Sequence, residues 1–189
     1  DDPASGLSDN TLAVPQLANI VELDAGGVDT VHSTYDYTLG DNLENLVLDP
    51  FAVRDTASYI TRMKIVYPSR GTGNALDNQI VGNDGDNVLD GRGGNDTLVG
   101  AAGNDRYLFD VGGGIDRVTD QDMAAGNVDT VELGAGIVAE DVGVTVTNNS
   151  VVLSLNANDR IVLDRDLAKG IGVEQVQFSD GTVWQIAAL

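Results

Sequence analysis

Four glycine-rich turns begin nine residues apart, at Gly73, Gly82, Gly91 and Gly100, and close on Asn78, Asn87, Asp96 and Asp105. Each is followed by a short apolar beat: Ile80, Leu89, Leu98, then Tyr107 with Phe109. A tight turn offers several main-chain carbonyls at once, and a carboxylate at its end adds charge. Ca²⁺ takes roughly six to eight such hard oxygens. A fixed period with oxygen donors at constant phase therefore predicts several Ca²⁺ ions held between copies. Stacking every second turn on one edge brings 73–78 over 91–96 and 82–87 over 100–105. Each ion would then bridge two coils, and its binding free energy would be folding free energy.

The candidate ligands follow from that stacking. In the two best turns they are Gly91, Gly93 and Asp96, then Gly100, Ala102 and Asp105. In the two upstream turns they are Gly73 and Asn78, then Gly82, Asp84 and Asn87. An Asn gives a carbonyl oxygen but no charge, so pairing Asn78 with Asp96, or Asn87 with Asp105, should bind more weakly than an all-Asp pair. Downstream, Gly114 and Asp116 complete a site with Asp96, and Asp129 one with Asp105, if the intervening insertions loop out. Asp77, Asp84 and Asp86 are either backbone ligands or solvated turn acids. Asp90 and Asp110, outside the closing position, read as surface or capping groups.

The charge agrees with cations at the turns. Thirty acids against ten bases give a formal charge of -20, which would repel nucleic-acid phosphates and the chain's own turns. About four divalent cations would cancel ~8 of those charges where the acids crowd. A merely solvated acidic surface would not place its acids so regularly. One His and no Cys leave zinc, haem, disulfide and thiol chemistry poorly supported. Glu132 with Glu140, or His32, could in principle do acid/base work, but no spacing fixes them, and the chain is expected not to be an enzyme. No run approaches a membrane span. Asp1-Asp2-Pro3 has neither a starting Met nor a basic leader, as expected of a piece of a larger polypeptide.

The elements that must position these turns are short strands. Residues 1–20 read as polar and irregular, and 18–23 as a first strand. Gly26 to Val31 then leads into a strand through Tyr35 and Tyr37. A turn at 39–43 and apolar beats at Leu43, Leu46 and Leu48 continue the pattern as looser coils of the same solenoid. Residues 50–70 break the rhythm and gather Arg54, Arg62, Lys64 and Arg70. They form either a β-rich excursion or a short helix, facing either the acidic body or a partner. Residues 111–118 and 126–131 echo 27–31. From 137 onward, turn signals at 148–150 and 179–181 lie between alternating apolar runs and predict two hairpins. These would cap the solenoid's open end, with Trp184, Phe178 and Leu163 as its core. The expected fold is all-β, with degenerate N-terminal coils over 1–70 that include the 50–70 insertion. The calcium-binding array follows over 71–136 and a β-rich C-terminal cap over 137–189.

The turns resemble the repeats-in-toxin (RTX), or haemolysin-type, calcium-binding nonapeptide Gly-Gly-x-Gly-x-Asp-x-apolar-x. Gly91 to Val99 departs mainly at Arg92, and Gly100 to Leu108 at Ala101 and Tyr107. Gly82 to Asp90 departs at Asn83 and Asn87, and Gly73 to Val81 has Leu76 where a Gly belongs. Tyr37 to Leu48 is similar to the segment that precedes such repeats, and the tail from Asp129 to Trp184 to the domain that follows them. The resemblance implies a parallel β-roll with Ca²⁺ along its edges. It also implies a secreted or cell-surface bacterial location and export through type I secretion machinery, with folding once extracellular calcium is met. The chain would be a non-catalytic structural module. Its alternatives are an adhesion module for a cell-surface or glycan ligand, and the C-terminal accessory domain of a secreted enzyme.

Overall fold

The computed structural model describes residues 11–14, 27–55, 62–122, 126–166, 169 and 171–189. Strands of three residues recur at β8 (Gln79–Val81), β9 (Val88–Asp90) and β10 (Thr97–Val99). Side chains alternate between the faces of a strand, so three residues turn one side chain inward. That residue is Ile80, Leu89 or Leu98, each fully buried. The glycine-rich turns between them reverse the chain, and successive strands fall alternately into two sheets.

One sheet runs β1-β2-β4-β8-β10-β12-β16-β15-β14 and the other β18-β17-β13-β11-β9-β7-β3. The remaining strands are β1 (Thr11–Val14), β2 (Thr30–Ser33), β3 (Tyr37–Thr38), β4 (Asn45–Leu48) and β5 (Phe51–Asp55). Next come β6 (Arg62–Val66), β7 (Arg70–Thr72), β11 (Arg106–Phe109), β12 (Ile115–Thr119) and β13 (Thr130–Leu133). The last five are β14 (Gly143–Val146), β15 (Ser150–Ser154), β16 (Arg160–Asp164), β17 (Gln175–Phe178) and β18 (Val183–Gln185). Pairing is parallel from β1 to β16 and from β3 to β17. The chain is therefore all-β and largely parallel.

Register lines the inward residues into columns. In the first sheet Val31, Leu46, Ile80, Leu98, Val118 and Leu163 face one another in turn. In the second, Gly71, Leu89, Tyr107, Val131 and Val176 do so. Gly71 marks how closely the sheets approach: a Cβ there would lie 3.0 Å from Ile80 and 3.2 Å from Leu46. Thr97 pairs with Gln79 and Arg106 with Val88, so two nine-residue repeats make one coil.

Both expected hairpins form, β14 with β15 and β17 with β18, each antiparallel. Phe178 and Leu163 are buried, and Trp184 packs edge-on against Phe178 with ring centroids 4.7 Å apart. Among its described residues the 50–70 insertion contains the antiparallel pair β5–β6 and no helix. Arg70, after that pair, reaches Asp90 at 3.7 Å, while Lys64 is exposed. One expectation fails at the N-terminus. Residues 11–14, read as irregular, form β1, because the parallel edge of β2 offers them a ladder. The strand expected at 18–23 lies outside the described residues.

Leu98→Ala would open a cavity between the sheets and should lower unfolding free energy by about 2–4 kcal/mol. Leu76→Ala, at an exposed turn position, should cost under about 0.5 kcal/mol. Denaturant unfolding of the two variants under one buffer condition measures the contrast.

Candidate metal centres along the turn rows

The turns form two rows. Turns 73–78, 91–96 and 110–114 lead from the second sheet to the first, and 82–87, 100–105 and 120–129 lead back. In the first row the Asn78 N–H donates to Asp96 Oδ1 at 2.8 Å, and the Asp96 N–H to Asp116 Oδ1 at 2.9 Å. In the second, the Asn87 N–H donates to Asp105 Oδ1 at 2.7 Å and the Asp105 N–H to Asp129 Oδ1 at 2.8 Å. The Asp129 N–H then donates to Glu174 Oε2 at 2.7 Å. Each closing carboxylate thus spends one oxygen on the preceding coil. The stacking of 73–78 on 91–96 and of 82–87 on 100–105 is the one expected from the period, and across the longer intervals Asp96 meets Asp116 and Asp105 meets Asp129.

The second oxygens are the notable atoms. Asp96 Oδ2 and Asp105 Oδ2 are buried with no hydrogen-bond partner, a cost that a native fold rarely tolerates. A Cβ on Gly91 would collide with Asp96 Oδ2, and one on Gly100 with Asp105 Oδ2. A Cβ on Gly73 would meet Asn78 Oδ1 and the Gly91 carbonyl at 2.6 Å. On Gly82 it would meet Asn87 Oδ1 and the Gly100 carbonyl at 2.5 Å. The closing residue's oxygen therefore crowds the first glycine of each turn, and at Gly73 and Gly82 a carbonyl of the next coil joins it. The backbone is bent to the same end. Arg92 has φ 70° and Ala101 φ 83°, followed by Gly94 and Gly103 at φ 114° and 116°. A left-handed L-residue costs about 1–2 kcal/mol, so something must hold these two in place.

The other candidates sit less centrally. Gly93 donates its N–H to the Asn74 carbonyl at 3.2 Å, and Ala102 lies half-buried between the left-handed residues of its turn. Gly114 (φ 98°) packs on Gly94, where a Cβ would strike the Gly94 carbonyl. Asp84 is exposed. Asp77 and Asp86 accept the N–H groups of Asn95 and Asn104 at 2.7 and 2.8 Å, forming an outer pair of rungs.

The tightest cluster includes a residue that sequence reasoning missed. Asp105, Asp120 and Asp129 are all buried, and one carboxylate oxygen from each lies within 4.8 Å of the other two. Asp120 follows β12 where Gly100 follows β10, so it opens a turn in the place of a glycine. The Tyr107 hydroxyl donates to its Oδ2 at 2.7 Å. Asp159, which accepts the Gly112 and Gly114 N–H groups at 2.8 and 3.2 Å, and Glu174 were also missed.

Burial, the largest cause, pushes Asp96 and Asp105 up to about 7 and Asp116 to about 6. Asp116, Asp77 and Asp90 push Asp96 further up, and Asp120, Asp86 and Asp122 do so for Asp105, against the downward pull of the coil N–H groups. Asp129 is raised by burial and by Asp120, Glu174 and Asp105. None of the ion pairs among the described residues reaches these carboxylates. Orphaned buried oxygens, a carbonyl-rich cradle and an all-oxygen donor set without a counter-charge fit a hard divalent cation. Asp96 and Asp116 in the first row, and Asp105, Asp120 and Asp129 in the second, would hold such ions, whose charge would favour the ionised carboxylates.

No catalytic constellation is present among the described residues. His32 Nδ1 pairs with Asp49 Oδ2 at 2.9 Å, but neighbouring Ser33 is buried and donates its hydroxyl to the Tyr35 carbonyl at 2.8 Å. Glu132 is held by both guanidinium contacts of Arg106, at 2.5 and 2.7 Å. The chain has no cysteine, and no described helix is long and apolar enough to cross a membrane.

Residues 72–107 match the RTX calcium-binding nonapeptide repeat (4 copies), and residues 144–188 the haemolysin-type calcium binding protein related domain. No curated protein matches the chain. The chain therefore carries RTX-type calcium-binding repeats, with the related domain after them.

Two outcomes are expected here. A carboxyl whose folded pKa exceeds its unfolded value near 3.8 favours the folded state when protonated. That contribution is complete below about pH 4 and is lost as pH rises through about 6–7. In chelator, circular dichroism should therefore show more β structure at pH 5 than at pH 8, while calcium affinity should rise with pH as ion and proton compete. Arg92→Gly or Ala101→Gly should relieve the left-handed strain and stabilise the calcium-loaded protein by about 0.5–1 kcal/mol after the entropy cost of glycine. Thermal unfolding at saturating calcium measures it.

Proposed function

We propose that this chain is a non-catalytic module that folds when Ca²⁺ fills its turn rows, as a parallel β-roll closed by a C-terminal cap. The observation that carries the reading is the pair of buried, unpartnered oxygens on Asp96 and Asp105, held in turns whose Arg92 and Ala101 are left-handed. A bound cation supplies those oxygens with a partner and repays the strain. The remaining residues serve that event. Gly73, Gly82, Gly91 and Gly100 let neighbouring oxygens converge, and Asn78, Asn87, Asp96, Asp105, Asp116 and Asp129 link coil to coil. Tyr107 orients Asp120 toward Asp105 and Asp129. The three proposed units are the N-terminal coils with their insertion over 1–70, the calcium array over 71–136 and the cap over 137–189.

The RTX-type repeats support the finer reading as well. The chain would be part of a larger secreted bacterial protein that passes through type I secretion machinery unfolded and becomes compact outside the cell. A charge of -20 favours the expanded state where calcium is scarce, and ions at the turns remove that repulsion where calcium is abundant.

Circular dichroism should show β structure lost in chelator and restored cooperatively by millimolar Ca²⁺. Asp105→Asn and Asp96→Asn should each raise the half-saturating calcium concentration about tenfold or more, a loss of at least ~1.4 kcal/mol. Glu140→Gln, in the exposed turn 139–141, should leave it unchanged. A spectrum indifferent to calcium would refute the proposal.

A further inference from the structure

The turns of the nine-residue array are of two kinds. Turns 91–96 and 100–105 have a left-handed second residue and an unpartnered carboxylate oxygen. Turns 73–78 and 82–87 have Asn74 and Asn83 second, and neither has a positive φ. Their backbone folds around the side chains instead. The Asn74 N–H donates to Asn78 Oδ1 at 2.8 Å and the Leu76 N–H to Asn74 Oδ1 at 2.8 Å. The Asn83 N–H donates to Asn87 Oδ1 at 2.7 Å and the Gly85 N–H to Asn83 Oδ1 at 2.9 Å.

These bonds fix which way each amide points, because a backbone N–H can only donate and a carbonyl only accept. The free NH₂ groups must turn to the preceding coil. Asn74 Nδ2 donates to the Gly40 and Leu43 carbonyls at 2.8 and 2.7 Å, and Asn78 Nδ2 reaches Leu43 at 3.3 Å. In the other row Asn83 Nδ2 and Asn87 Nδ2 both donate to the Pro68 carbonyl, at 2.9 and 3.0 Å. All four asparagines are buried. Asp96 and Asp105 offer an oxygen to the coil before them, whereas Asn78 and Asn87 offer N–H groups to carbonyls. The polarity of the joint is reversed, and the carbonyls that a cation would otherwise collect are already satisfied.

We infer that the amide pairs Asn74–Asn78 and Asn83–Asn87 are built-in replacements for a cation. The upstream faces of both turns are closed without an ion, so the ions of the nine-residue array sit downstream of them. The inference rests on the proposed calcium reading and adds where the array's ions start. Its consequence is a pair of ion-independent joints, at the Leu43 and Pro68 carbonyls, against which the first calcium-filled coil can stack. The nine-residue period runs through both kinds of turn. The second and closing residues, Asn with Asn against left-handed residue with Asp, decide whether the upstream face of a turn takes metal.

Anomalous diffraction from calcium-grown crystals of the whole chain tests this directly. Anomalous peaks are expected beside the Asp96 and Asp105 carboxylates and none within ligand distance of the Leu43 or Pro68 carbonyls. A peak at either carbonyl overturns the inference and leaves the calcium reading standing; no peak anywhere overturns both. Native mass spectrometry of Asn78→Ala/Asn87→Ala at saturating calcium gives a second readout. An ion count equal to that of the unaltered chain, with a thermal midpoint lower by about 5 °C or more, is expected. A reduced ion count would make these asparagines ligands and overturn the inference.

Discussion

Carboxylates stacked out of water at both edges of a thin two-sheet body are the constraint on which the rest depends. In the array, strands of three residues place one side chain each between the sheets, so each coil there adds only two apolar side chains to the interior. Asp96, Asp105, Asp116, Asp120 and Asp129 are as buried as the leucines beside them. A core this narrow has small reserve against such charges, and the edges decide whether the coils stay together.

Turn geometry follows from that constraint. The first residue of each nine-residue turn lacks a side chain because the closing residue's oxygen lies beside it, joined at Gly73 and Gly82 by a carbonyl of the next coil. The closing residue must bond to the coil before it and keep a second polar atom for its own turn. Carboxylate and amide meet these demands in opposite ways. Asp96 and Asp105 leave an oxygen without a partner, whereas Asn78 and Asn87 turn their NH₂ groups onto carbonyls. One repeating backbone path thus accommodates joints that leave a carboxylate oxygen unpartnered and joints that supply their own donors.

Much of this was legible in the chain. Glycine phase and the single apolar beat between turns lead to short alternating strands, and two nine-residue repeats per coil place 73–78 on 91–96. The hairpins at the C-terminal end follow from alternating runs around 148–150 and 179–181. Other features depend on chain paths that spacing does not encode. Thr97 pairs with Arg117, Arg106 with Thr130, and Thr130 with Gln175, so each coil after the array spans a different stretch of sequence. Asp120, Asp159 and Glu174 therefore reach the turn rows without sharing their phase. The opposite polarity of Asn and Asp at the same position depends on hydrogen bonds to Leu43 and Pro68, residues outside the repeat. β1 forms where composition suggested irregular chain, because an open parallel edge outweighs a weak local preference.

A module built this way would link compactness to its surroundings through one ligand. Small-angle X-ray scattering across a calcium titration measures that link most directly. For 189 residues the radius of gyration should fall cooperatively from roughly 46 Å, the scale of an unfolded chain, to below about 20 Å, near the ~16 Å of a compact one. A compact radius that persists in chelator at neutral pH would contradict the claim that cations hold the carboxylate rows together.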